Sequence, residues 1–109
     1  KKIQELFHKS SSFSYLYPFQ IRFQEGKDLP APQVLFVVPK KKFKKAVDRN
    51  LIKRRIKESY RLQKLQLIAH LQNVDFLAII YTGNEIKNFA YIQRKLLEVL
   101  RNLPKSDAE

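Results

Sequence analysis

Three patterns predict an α+β domain, a small α/β sandwich in which helices cover a central mixed sheet. Phe19 to Gln24 alternates apolar and polar side chains, the period of a half-buried strand. Two continuous apolar runs, Val34 to Val38 and Val74 to Tyr81, flank a long stretch of helical spacing, and strand, helix, strand makes a crossover unit. A last segment repeats apolar residues at i, i+3, i+4 and i+7, which is an amphipathic helix closing the chain.

Each element has its own signal. Ile3, Leu6 and Phe7 share one helical face, predicting a short N-terminal helix over Lys1 to Lys9 that ends at the run Ser10, Ser11, Ser12. In the strand that follows, Phe19, Ile21 and Phe23 fall on one side. Glu25 to Pro32 (EGKDLPAP) collects Gly, Asp and two prolines and reads as a loop. Val34 to Val38, stopped by Pro39, is expected to be covered on both faces in the middle of the sheet. The long helix is expected from about Phe43 to Leu71, followed by the buried strand Val74 to Tyr81, which Thr82, Gly83 and Asn84 close. Phe89, Ile92, Leu96, Val99, Leu100 and Leu103 line the final helix up to Pro104, and the tail beyond is polar.

With 109 residues the chain is one domain over its whole length, and 44% hydrophobic content separates it from disordered basic tails, which lack the apolar surface to offset chain entropy. Zero cysteines exclude a disulfide partner, a thiolate nucleophile and a cysteine-ligated zinc, and point to a reducing, cytoplasmic setting. No apolar run approaches the roughly 18 residues of a membrane span, so no membrane partner is expected. A chain that starts at Lys1 and contains no methionine is expected to lack its natural N-terminus.

Charge is distributed unevenly. Lys40 to Lys64 holds 12 Lys and Arg against Asp48 and Glu58, and so carries +10 of the chain's +12. A field this local implies a polyanion, and nucleic acid is the usual one. On a helical wheel Ile52, Ile56, Ser59, Tyr60, Gln63 and Leu67 form one stripe, suited to docking on a sheet. The neighbouring arc holds Asn50, Lys53, Arg54, Lys57, Arg61 and Lys64. A solvated helix face is the plain alternative. Ordinary faces mix signs for i,i+4 pairing, however, and here only Glu58 offers a nearby negative partner.

The helix entrance adds a second argument. Lys40, Lys41, Lys42, Lys44 and Lys45 gather at the positive end of the helix dipole, where acids would stabilise and lysines oppose the fold. Lysines beside unsatisfied backbone N–H groups instead favour phosphate. Arg49, Arg54, Arg55 and Arg61 supply planar forks, and Asn50 can donate and accept. Such contacts position RNA more than they read its sequence.

The segment Lys40-Lys41, Ala46, Arg49-Asn50-Leu51-Ile52-Lys53-Arg54, followed by Lys57, Glu58, Tyr60 and Arg61, resembles the signature of the protein subunit of bacterial ribonuclease P. That signature runs Lys-Lys, Ala, then Arg-Asn-Arg-x-Lys-Arg, then a basic residue, an acid and an aromatic. Leu51 departs from it, standing where the second arginine belongs. The order of elements is similar too.

The resemblance implies a left-handed crossover into the basic helix, where physics alone favours the right-handed one. It implies RNA contacts at Lys40, Lys41, Lys44, Lys45, Arg49, Asn50, Lys53, Arg54, Lys57 and Arg61. It implies a cleft for the 5′ leader of precursor tRNA, with Phe7, Tyr15 and Tyr17 as candidates to line it, since unpaired bases stack on aromatic rings. Phe7 reads equally as a core residue. Members often carry a basic residue at the end of the strand after the long helix, where this chain has Tyr81 and Thr82.

The implied activity is endonucleolytic removal of the 5′ leader, with the catalytic RNA subunit and its bound Mg2+ performing the hydrolysis. No catalytic or metal-ligating residue is assigned to the chain: His8 and His70 are isolated, the acids are scattered, and two glycines cannot make a phosphate loop. Two other readings use the same basic helix, a small ribosomal or general RNA-binding protein and a module docking on an acidic protein.

Overall fold

The first hairpin joins β1 (Ser12–Leu16) to β2 (Phe19–Glu25) across Tyr17 and Pro18, and β3 (Gln33–Val37) follows the loop. Then come α1 (Ala46–Leu67), a 3₁₀ turn (Ile68–Leu71), β4 (Val74–Tyr81) and α2 (Phe89–Arg101). This computed structural model describes residues 12–30 and 32–103. The helix expected over Lys1 to Lys9, with Phe7 on it, and the polar tail lie outside the described residues.

The strands form one mixed sheet in the order β1-β2-β4-β3, antiparallel except for the parallel pair β3 and β4. Register decides what meets across it. Phe19, Ile21 and Phe23 of β2 sit opposite Tyr81, Ile79 and Leu77 of β4, so all six project to one face, and all six are buried. Full burial of such side chains is worth about 1.5–3 kcal/mol each. Val34 and Phe36 of β3 and Leu16 of β1 extend the same face.

Both helices cover that face, α1 over β3 and α2 over β1 and β2, and they pack along each other. The six residues of the predicted α1 stripe are its six buried residues: Ile52, Ile56, Ser59, Tyr60, Gln63 and Leu67. Gln63 links the helices by donating Nε2 to the Gln93 carbonyl at 3.1 Å. α2 buries Ile92, Leu96, Val99 and Leu100, and its start is capped by Asn88, whose side-chain oxygen accepts from the Tyr91 amide at 2.8 Å.

Three expectations change. The Val34 to Val38 run is an edge strand, not a central one: β4 takes the interior place, and β3 residues are at most half-buried. An apolar run reports covered faces and says nothing about which neighbours hydrogen-bond to it. β1 was not expected as a strand, because serines interrupt its apolar pattern; pairing with β2 forms it. The long helix starts at Ala46 instead of Phe43, since Lys42 and Phe43 turn back to bond the Pro39 carbonyl at 3.3 Å each, leaving Phe43 buried ahead of the helix. Its last residues, Ile68–Leu71, tighten into the 3₁₀ turn.

Candidate nucleic-acid interface

α1 has 22 residues and is about 33 Å long at the usual helical rise. With one stripe locked into the core, its cationic arc faces solvent along the β3 side. Asn50, Arg54, Lys57, Arg61 and Lys64 are exposed and Lys53 is half-buried. The Lys57 ammonium stands 5.9 Å from the ring centre of Phe36 on the edge strand, which fixes the orientation of the arc relative to the sheet.

Ion pairing leaves most of these charges free. Within the described residues Lys53, Arg54 and Lys57 have no carboxylate within ion-pair reach, whereas Arg61 pairs with Glu58 through two hydrogen bonds. Those bonds hold the Glu58 carboxyl below its ordinary pKa and raise that of Arg61. The pair is exposed at both ends.

At the helix entrance Lys40, Lys41, Lys42, Lys44 and Lys45 are all exposed. Lys45 is the N-cap residue and provides no side-chain cap, and Asp48 is the acid of the first turn. Arg49 does something the sequence did not indicate. It is half-buried, and its Nη1 donates to the carbonyls of Phe43 (2.8 Å) and Lys44 (3.1 Å), tying the lysine turn to the helix. Arg55 also turns inward and donates to the Lys87 carbonyl at 2.6 Å, so its fork braces the α2 approach instead of joining the arc.

Lys42 reaches across to the end of β4, where its ammonium donates to the Thr82 carbonyl at 2.6 Å. A cation therefore stands at the strand end where the sequence shows only Tyr81 and Thr82. Spacing along the chain gives no hint of this contact between residues 40 positions apart.

The other face of the sheet is distinct. By register it carries Tyr15 and Phe13 from β1, Gln20, Arg22 and Gln24 from β2, Phe76, Ala78 and Ile80 from β4, and Leu35 and Val37 from β3. Phe13 (63% exposed) and Tyr15 (60% exposed) stand two residues apart there. Phe13 was missed in the sequence, although its two-residue spacing from Tyr15 was readable. Tyr17, 42% exposed, lies in the hairpin turn instead.

Comparison with known proteins fixes the family. The profile of the family described as Ribonuclease P matches residues 1–104. The chain belongs to the ribonuclease P protein family. The ribonuclease P protein component of Porphyromonas gingivalis is 30% identical over 114 residues, covering 96% of this chain and 82% of that protein. That of Chromohalobacter salexigens is 39% identical over 74 residues, 68% of this chain and 55% of the other.

Solved structures share the fold. The ribonuclease P protein of Thermotoga maritima superposes with a TM-score of 0.78 at 20% identity, covering 96% of this chain and 94% of that one. The Staphylococcus aureus protein gives 0.75 at 23% identity over 92% and 86%. The four-stranded mixed sheet with its two helices is thus the fold of ribonuclease P proteins.

Proposed function

We propose that the chain docks the catalytic RNA of ribonuclease P on the cationic flank of α1 and guides the 5′ leader of precursor tRNA over the outer sheet face. The observation carrying this reading is a helix with one stripe in the core and, beside it, exposed Asn50, Arg54 and Lys57 without acidic partners among the described residues. Lys40, Lys41, Lys44, Lys45 and Lys53 extend the field, while Arg49 holds the turn and contributes its charge from a fixed position. Each phosphate neutralised releases counterions, which gives affinity without sequence selection.

Phe13 and Tyr15 support a leader contact by presenting ring faces to solvent on one strand, because an unpaired base of any identity can stack there. Tyr17, in the turn, would meet the strand only where it leaves that face. Hydrolysis is assigned to the RNA subunit with its magnesium. In this reading the chain's own part is to bind, orient and screen charge. A reducing cytoplasm suits a chain without cysteine.

Cleavage of precursor tRNA at low magnesium by the cognate catalytic RNA, with and without the protein, tests the reading. A large gain from the protein is expected. Arg54→Ala and Lys53→Ala should each weaken RNA binding and lower its salt slope by about one unit. Cleavage by the protein alone, or unchanged slopes in both variants, would refute it.

A further inference from the structure

Away from α1, the outer side of α2 gathers a second set of cations around a tyrosine. The ring centre of Tyr91 has the Lys87 ammonium at 5.1 Å, the Arg94 guanidinium at 5.5 Å and the Lys95 ammonium at 5.8 Å. Further along the same helix face lies a groove of about 580 Å³ lined by His70, Arg94, Leu97, Glu98, Arg101 and Asn102. Arg94 belongs to both features. Spacings of three and four residues from Tyr91 through Arg94, Lys95, Glu98 and Arg101 put them on one helical face.

Stability does not explain this grouping. Lys87 pairs with Glu85 at 3.1 Å, but Arg94, Lys95 and Arg101 have no carboxylate within ion-pair reach in the described residues, and Glu98 is the one acid on the face. Like charges crowd one ring. A half-buried ring with cations over it matches a nucleotide, whose base can take the cations' place on the ring while they neutralise its phosphates. An acidic protein would need no ring at the centre of the charge.

We infer that this face of α2 is a second docking surface for the catalytic RNA, on which an unpaired base stacks against Tyr91 and the flanking phosphates meet Lys95, Arg94 and Arg101. The inference rests on the reading that α1 docks the same RNA. α1 and α2 share one layer on one side of the sheet, and the Arg55 bond to the Lys87 carbonyl ties the α2 approach to α1, so both cationic faces belong to one packed layer. The aromatic face proposed for the leader is on the opposite side of the sheet.

Affinity of the full chain for the cognate catalytic RNA, measured from about 50 to about 200 mM salt, tests it. Arg94→Gln combined with Arg101→Gln should lower the salt slope by about 1.4, the single-strand value for two phosphates. Tyr91→Leu should weaken binding about tenfold, and Tyr91→Phe should keep wild-type affinity because the ring is retained. Arg54→Ala is measured alongside. If it weakens binding while the arginine pair keeps wild-type affinity and slope, the α2 surface is refuted and the α1 interface stands. If Arg54→Ala also has no effect, the underlying reading fails. A loss confined to precursor tRNA binding, with the catalytic RNA held normally, would overturn the assignment of the partner. Should Tyr91→Leu melt early, the exposed arginine pair decides alone.

Discussion

Glu58→Gln is predicted to tighten RNA binding. The Glu58 carboxylate takes two hydrogen bonds from Arg61 on the exposed arc of α1, so it both occupies one fork and repels phosphate. Removing its charge frees Arg61 for one more phosphate contact, which adds about 0.7 to 0.9 to the salt slope. Over a fourfold rise in salt that slope changes the affinity ratio of variant to wild type by about threefold, with the gain largest at low salt. Lowering the pH does not mimic the substitution in the mildly acidic range. A carboxyl with a depressed pKa stays charged until pH falls through the lowered value, and Arg61 depresses this one. Fluorescence anisotropy with labelled catalytic RNA, at four salt concentrations and with the variant's melting curve as control, reads both quantities. An unchanged slope, or equal weakening at every salt, would show that Arg61 meets no phosphate and would move the RNA off the distal half of the helix.

Four further outcomes follow from local geometry. Ser59 is fully buried with no partner for its hydroxyl among the described residues, so Ser59→Ala should stabilise the fold by about 1 kcal/mol, combining helix propensity with removal of an unsatisfied group, as a shift in urea midpoint shows. A Cβ at Gly26 would lie 2.2 Å from Oδ2 of Asp75, whose carboxylate accepts from the Asp28 and Leu29 amides at 3.2 Å each. Gly26→Ala should therefore cost about 2 kcal/mol, and less in an Asp75→Ala background, in a double-mutant unfolding cycle. Burial pushes the Tyr81 phenol up to about 12, so its stabilising share is complete below pH 10 and declines as pH rises toward 12; Tyr81→Phe should flatten that part of the stability profile. Lys45→Asp should raise stability by about 1 kcal/mol through N-capping while lowering RNA affinity and slope, measured on the same preparation.

Which parts of this molecule could be read from its sequence depends on whether the information is periodic or spatial. The α1 stripe was legible because helical spacing and burial are the same fact seen twice, and Ile52 to Leu67 therefore fell into place. The two-residue alternation of β2 was legible for the same reason. Strand order was not, since nothing within Gln33–Val37 distinguishes an edge from a centre until β4 is known to lie between it and β2. In the proposed interface, the exposure of the arginines and lysines was legible from charge and phase. The roles of Arg49, Arg55 and Lys42 were not, because each is set by a backbone carbonyl brought close only by folding. The α2 cluster escaped because its cations are diluted along the sequence among apolar core residues, while in space they converge on Tyr91.

The Arg49 and Lys42 contacts also explain how the helix tolerates its own start. Lysines at the positive end of a dipole, with no side-chain cap at Lys45, describe a terminus that should fray. It is held from below instead. Phe43 is buried against Tyr81 with ring centres 6.0 Å apart, Arg49 grips the two carbonyls before the helix, and Lys42 is fastened to the end of β4. Packing and long side chains thereby replace capping, and Lys40, Lys41, Lys44 and Lys45 are left exposed beside first-turn amides that no side chain of the described residues caps. A capping acid would serve the fold better and the polyanion worse. Lysine at this position is what the proposed phosphate-docking reading expects, and Lys45→Asp separates the two demands by moving stability and RNA affinity in opposite directions.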